Sequence, residues 1–362
     1  MTTPIVQFGT SRFLQAHADL FVSEALKTGE AVGPITIVQT TGSSERSGRL
    51  AALARPEGFP VIIRGIRAGA QIDETQQVTS VSRALSTAEN WSEVRAIVAE
   101  DAEILISNTS DTGYQIGEDD LTTEVPRSFP GKLLLLLKAR FDAGGRPLTM
   151  LPCELVSRNG DVLKALMLRL AAERIGNSAF IDWLGKDVVW ANTLVDRIVS
   201  EPLEPAGAIA EPYALWAIEN QPGLRLPCIH PRVKLVDDLT PYEKLKLHIL
   251  NLGHTVLADL WLSQGRDANE TVREILADAG VAALLERIYR SEVIPAFAAR
   301  GLESEAEDYV AATLERFRNP FLNHRLGDIA NHHREKIERR IADFRRWSPS
   351  VTMPELAAIC DQ

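Results

Sequence analysis

Lys246, Asn251 and His254 stand among leucines in KLKLHILNLGHTVLAD, residues 244–259. An amine, an amide and an imidazole so spaced are what proton transfer at an alcohol needs: one group to take or return the proton, two to hold the oxygen. On a regular helix, at roughly 100° per residue, Lys246 shares a side with Leu250, Leu257 and Leu260. On the same side lie Glu243 at about 60°, His254 at about 80° and Asn251 at about 140°, so the three polar groups share one arc with Lys246. Lys244, His248, Thr255 and Asp259 fall opposite and are expected to face solvent. Burying an ammonium is costly unless it is paired or neutral, so a lysine among leucines is expected to lose its proton readily and to act as a general base. The alternative is that Lys246 lies along apolar surface with its amine in water while Asn251 bonds a backbone group.

Two further constellations sit where strands end. Gly9 closes the apolar run PIVQF and opens FGTSRFLQAH, so Phe8, Gly9, Thr10, Ser11, Arg12 and Phe13 form a candidate phosphate-facing loop. A dinucleotide loop needs glycines for the close approach of backbone to pyrophosphate. Here Ser11 and Leu14 stand in the second and third glycine positions, and an ordinary strand-to-helix turn is the other reading. After the second strand, VQTTGSSER offers hydroxyls, Thr41 among them, and Arg46 where an acid would bind the adenosine ribose. NAD and NADP therefore both stay open. Asn108, followed by Thr109, closes a later strand in ISNTSDTG, either as a ligand contact or as a turn residue.

The elements that must position these groups follow from periodicity. Apolar β-branched runs at residues 4–8, 34–41, 61–66, 102–107 and 147–155 alternate with helical stretches, which predicts a parallel sheet with crossover helices. From about residue 242 onward nearly everything has helical period. The fold class expected is α/β: an N-terminal Rossmann-type parallel sheet domain over 1–235, its proline-rich tail included, then an all-helical domain over 236–362.

The bulk composition excludes several classes. The chain has 362 residues, and 49 Asp and Glu against 39 Lys and Arg give a net charge of −10, which disfavours nucleic-acid binding. Cys153, Cys228 and Cys360 are widely separated, the reduced thiols of a cytoplasmic protein rather than a disulfide or zinc framework. His332 and His333 have no partner at ligand spacing, so they are expected as a helix-surface pair and no metal site is expected. No signal peptide or membrane span is expected.

Lys246, Asn251 and His254 match K-x4-N-x2-H, the signature of the polyol-specific long-chain dehydrogenases, and the chain resembles this mannitol dehydrogenase family along its length. FGTSRFLQAH, ISNTSDTGY, LPCELVSRNGD, NTLVDRIV, VDDLTPYEKLKLHILNLGHT and RFRNPFLNH follow in the family's order. Within it, PCEL-x3-NGD, LVDRIV and VDDL-x-PY are most similar to the tagaturonate reductase (altronate oxidoreductase) branch, although this chain is shorter. The resemblance implies a metal-independent oxidoreductase that uses NAD, with NADP not excluded, on a secondary alcohol of a sugar acid of the altronate/tagaturonate type. It implies Lys246 as general acid/base, Asn251 and His254 as oxygen-holding groups, and Glu243 as a proton outlet. A sugar-acid carboxylate needs cations or donors, and Arg158, Asn159, Arg318, His324 and Lys336 lie in or beside the matching motifs. Two alternatives remain: a mannitol-type polyol dehydrogenase, and a sugar-acid-binding homologue without hydride transfer. The partner expected is the small molecule alone, with the chain a monomer or small homo-oligomer.

Overall fold

The computed structural model describes residues 2–41, 47–109, 113–117 and 120–361, with Ser47 described for its backbone only. The described chain forms two compact units: Met1–Ile63, Glu74–Ala210 and Ala214–Leu239 make the first, and Arg64–Asp73, Glu211–Tyr213 and Thr240–Gln362 the second. Both are built from stretches distant in sequence. No helix among the described residues is long and apolar enough to cross a membrane.

In chain order the first strands are β1 (Ile5–Phe8), β2 (Ile35–Gln39), β3 (Phe59–Arg67), β4 (Ala70–Val78), β5 (Val81–Ser86), β6 (Ile104–Ser107), β7 (Leu148–Pro152) and β8 (Val188–Trp190). Six of them form one parallel sheet in the order β5-β2-β1-β6-β7-β8, the doubly wound Rossmann order. Every residue of β1, β2, β6 and β7 is buried. Helices cover both faces of such a sheet, so its strands are apolar throughout rather than alternating. Leu133, Leu134 and Leu137 of helix Phe129–Asp142 pack with Val6, Phe8, Leu105 and Met150 from the strands. The parallel sheet expected from the sequence is present.

The run at 61–66 is a strand but stands outside that sheet. It belongs to β3, which joins β4 and two later strands, β10 (Val199–Pro202) and β11 (Ala208–Ala210), in the order β10-β11-β3-β4. A third sheet, β13-β12-β9, combines β9 (Thr193–Asp196), β12 (Leu215–Glu219) and β13 (Val233–Val236). The proline-rich stretch read as a plain tail, residues 200–232, thus carries most of β10 and all of β11 and β12, and contributes to two sheets.

The second unit is helical around a core that includes Ile249, Leu252, Val256, Leu257, Leu285, Phe297, Phe317, Ile341 and Phe344. A buried ion pair fixes residues 211–213 within it: Arg316 donates twice to Glu211, at 2.9 and 2.8 Å, and lies over the Tyr213 ring at 4.5 Å.

Candidate functional site

The two strand-end motifs meet at the switch point of the parallel sheet. Strand order reverses between β1 and β6, and ligands of open α/β sheets bind outside the carboxyl ends there. Gly9 follows β1 with φ +122, and a Cβ on it would stand 2.8 Å from the carbonyl oxygen of Asn108 after β6. Only glycine allows that approach. Ser11 Oγ donates to Asn108 Oδ1 at 2.9 Å and accepts from the Leu14 amide at 3.2 Å, capping the short helix Arg12–Gln15. Asn108 Nδ2 donates to the Cys153 carbonyl at 2.8 Å. The serine in place of a second glycine therefore ties the loop to the neighbouring strand end.

The other loop residues have definite places. Phe8 is core, its ring 5.6 Å from Phe129, and Phe13 stacks on His17 at 4.7 Å. The Thr10 carbonyl accepts from Gln15 Nε2, and the Thr41 carbonyl from Gln39 Nε2. Arg12 pairs with Glu204 at 2.6 Å, and its Nε is buried without a partner among the described residues. Ser43, Ser44 and Arg46, expected near an adenosine, lie outside the described residues. A glycine turn at the switch point and the first-turn amides make a donor set that fits an anionic dinucleotide, while Arg12 already holds a carboxylate of the protein.

Glu154 organises this region and was not singled out from the sequence. Buried just past β7, it accepts from Ser107 Oγ, the Thr109 amide, Thr109 Oγ1 and Tyr114 Oη at 3.0–3.1 Å. Burial raises its pKa while these donors pull it back down. A lone acid in the otherwise apolar PLTMLPCEL was the available signal.

Asn159 is fully buried. Its Nδ2 donates to the carbonyls of Pro152, Glu154 and Thr193, and its Oδ1 accepts from Gly160 and Thr193. Arg158 is exposed at φ +51 and paired with Asp161 and Glu219.

In the helical unit, residues 240–263 form one continuous helix with a widened turn over Lys246–Asn251. The Leu252 amide is shared between the Ile249 carbonyl, three residues back, and the Leu247 carbonyl, five residues back, instead of going to the one four back. Groups five apart then stand about one turn apart, so positions 246 and 251 fall toward the same face, in place of the about 140° separation of a regular helix. Lys246, Asn251 and Glu243 are half-buried. His254 is buried, its ring 4.5 Å from Phe317 and 4.8 Å, edge-on, from His324. Burial lowers the pKa of His324, with Asp328 opposing and Arg316 adding to the effect.

The side expected to face solvent does not. His248 and Thr255 are fully buried, Asp259 is 8% exposed, and Lys244 lies over the Trp347 ring. The C-terminal helices cover this side: His248 Nδ1 bonds the Arg340 carbonyl, Arg340 Nη1 donates to Thr255 Oγ1, and Asp259 pairs with His333 at 3.1 Å. His333 is accordingly not a surface residue, whereas His332 is. Polar type alone suggested a wet face; each group instead has a local partner. Of the expected carboxylate contacts, Arg318 is bound in an exposed pair with Glu286. Lys336 Nζ donates to the Ile329 carbonyl at 2.7 Å, and its pKa is lowered by burial and then by Arg340. No group of three potential metal ligands occurs among the described residues.

His248 gives a pH signature. Burial lowers its pKa to about 4; its bond to the Arg340 carbonyl and the charge of Asp343 oppose this, and Lys244 adds to it. The fold prefers the neutral ring, so this stabilisation is complete above about 6.5 and is lost as pH falls toward 4. Wild type should lose ~3 kcal/mol more than His248→Asn between those values in urea unfolding. Parallel slopes for the two proteins would contradict this.

Residues 3–227 match the family model for the mannitol dehydrogenase Rossmann domain, and residues 238–349 that for the mannitol dehydrogenase C-terminal domain. An altronate oxidoreductase of Halalkalibacterium halodurans is 32% identical over 93% of this chain and 69% of its own length. Another from Yersinia pestis is 31% identical over 93% and 73%. Among solved structures, D-sorbitol dehydrogenase in substrate-free form superposes with TM-score 0.81 at 22% identity, over 96% of this chain and 76% of that one. Pseudomonas fluorescens mannitol 2-dehydrogenase, in a ternary complex with NAD and D-mannitol, gives 0.75 at 20%, over 99% and 78%. At such identities the two structures speak to fold alone.

Proposed function

The chain belongs to the mannitol dehydrogenase family, and from that premise we propose a nicotinamide-dependent oxidoreductase that interconverts a secondary alcohol and a ketone on a sugar acid of the altronate type. The observation that supports the reading is the widened turn over Lys246–Asn251, whose five-residue spacing turns positions 246 and 251 toward one face, with His254 buried in the next turn of the helix. A binding protein has no use for an amine so aligned. The altronate oxidoreductase relatives, matched over most of this chain, support the substrate class.

The Gly9 turn and the amides that follow it bind the pyrophosphate. NAD, when bound, supplies the hydride acceptor for oxidation and, reduced, the donor for the reverse. Lys246 Nζ takes the hydroxyl proton as the carbon loses hydride, and returns it to the oxygen in ketone reduction. The Asn251 amide and His254 hold that oxygen and stabilise the negative charge it develops. Glu243 passes the proton to solvent. Lys336, with two N–H donors beyond the one it gives Ile329, is the cation assigned to the substrate carboxylate, since Arg158 and Arg318 already hold carboxylates of the protein.

Initial rates with NAD and NADP on matched panels of aldonates and neutral alditols test this. The expected result is kcat/KM favouring the acid about tenfold or more, an increment of ~1.4 kcal/mol. Turnover confined to alditols replaces the substrate assignment. Absence of saturable NADH and NADPH binding removes the enzyme reading altogether.

A further inference from the structure

We propose that Tyr289 is a positioning residue for the reaction: its hydroxyl, reaching the helix backbone through the space that Gly253 leaves open, holds the widened turn that aligns Lys246 with Asn251. The inference rests on the catalytic reading of Lys246 given above. It concerns a residue on a different helix that touches neither alcohol nor cofactor in that reading.

Tyr289 is 1% exposed and donates from its hydroxyl to the Ile249 carbonyl at 2.9 Å, inside the widened turn. A change from four-residue to five-residue spacing breaks the regular ladder of carbonyls and amides: the Ile249 carbonyl keeps a share of the Leu252 amide, three residues on, and takes the Tyr289 hydroxyl on its second lone pair. A donor inserted from outside stabilises the wide form against the regular one. The sequence makes room for it. A Cβ on Gly253 would stand 1.9 Å from the Tyr289 oxygen, so any larger residue there would displace the hydroxyl. A glycine in mid-helix costs roughly 1 kcal/mol against alanine, which calls for a packing reason, and the tyrosine supplies one.

Arg340 acts on the next exposed link of the same backbone. Its Nη1 donates to the Asn251 carbonyl at 3.3 Å and to Thr255 Oγ1 at 3.2 Å, while its own carbonyl accepts from His248. Tyr289 and Arg340 each lie in a widened turn of their own, over Tyr289–Val293 and Glu338–Ala342, and both turns pack against the first. Regular ridges into grooves would not place donors on two successive parts of one helix backbone. Three irregular turns facing one another do.

The test is the crystal structure and steady-state kinetics of Tyr289→Phe, which keeps the ring and removes the donor, with Gly253→Ala and the double variant alongside. The expected structure has the Leu252 amide back on a carbonyl four residues away and Asn251 turned from Lys246. The expected kinetics are a fall in kcat of about tenfold or more with KM within about twofold, and the double variant no worse than the poorer single one, since both act on one contact. A turn that persists in Tyr289→Phe overturns the inference whatever the rates, as does unchanged kcat or a fall shared equally by kcat and thermal stability. Lys246→Ala in the same assay separates the two ideas: if it is inactive while Tyr289→Phe is fully active, only the positioning role fails; if it is active, the catalytic reading fails as well.

Discussion

Lys246→Ala should reduce turnover by about 10²–10⁴-fold in both directions, equivalent to ~3–5 kcal/mol of barrier. In the proposed reaction no nearby group on this helix can replace it: the Asn251 amide is not a base, His248 is buried on the other side against the Arg340 carbonyl, and His254 is buried against the rings of Phe317 and His324. The fold should survive, since Lys246 is only half-buried and alanine is the better helix former. Equilibrium binding of NADH should therefore change little, because the Gly9 turn proposed to bind it belongs to the other unit. Small primary amines added to the assay should restore part of the lost rate, with the gain following the free-amine concentration. A variant that keeps more than about a tenth of wild-type turnover would contradict the assigned role.

The parallel sheet and the helical unit were legible in the sequence for a simple reason. IVQF, ITIVQ, ILIS and LTMLP are predominantly apolar runs without a charge, as strands covered on both faces are expected to be. Strand β4, AQIDETQQV, is mostly exposed and polar, and β9 to β13 are three to five residues long, so neither pattern nor length announces them. Their partners are remote: Val61 pairs with Ala208, which no local signal encodes.

Residue types at the candidate site were legible; their partners were not. Asn108 and Asn159 stood out as polar residues in motifs, yet their side chains bond backbone or loop groups brought close only by the fold. The helix carrying Lys246 shows the same limit from another side. A wheel drawn at 3.6 residues per turn separates Lys246 from Asn251, and only the widened turn brings them together. The donor that enters that turn comes from Tyr289, about forty residues further along the chain and on another helix, so nothing in KLKLHILN itself foretells the contact.

The largest loss of stability should come from Glu211→Gln. The sequence drew attention to Arg318 in RFRNPFLNH, but the fold exposes Arg318 and buries Arg316, whose side chain is 3% accessible against 1% for Glu211. Two short donors, at 2.9 and 2.8 Å, and the Tyr213 ring together surround the guanidinium. Breaking a buried pair from one side leaves a charge without its counter-ion, and such changes cost ~3–5 kcal/mol. Removing both charges is a different matter, because the pair's own attraction does little more than offset its desolvation. The double variant Glu211→Leu with Arg316→Met should therefore recover most of what Glu211→Gln loses, and urea unfolding of wild type, single and double variants measures both terms. The single change also removes what holds residues 211–213 within the helical unit, so protection of the Tyr213 amide from hydrogen exchange should fall with it. A loss below about 1 kcal/mol, or a double variant worse than the single one, would mean that the pair is solvated and that this segment is held by other contacts.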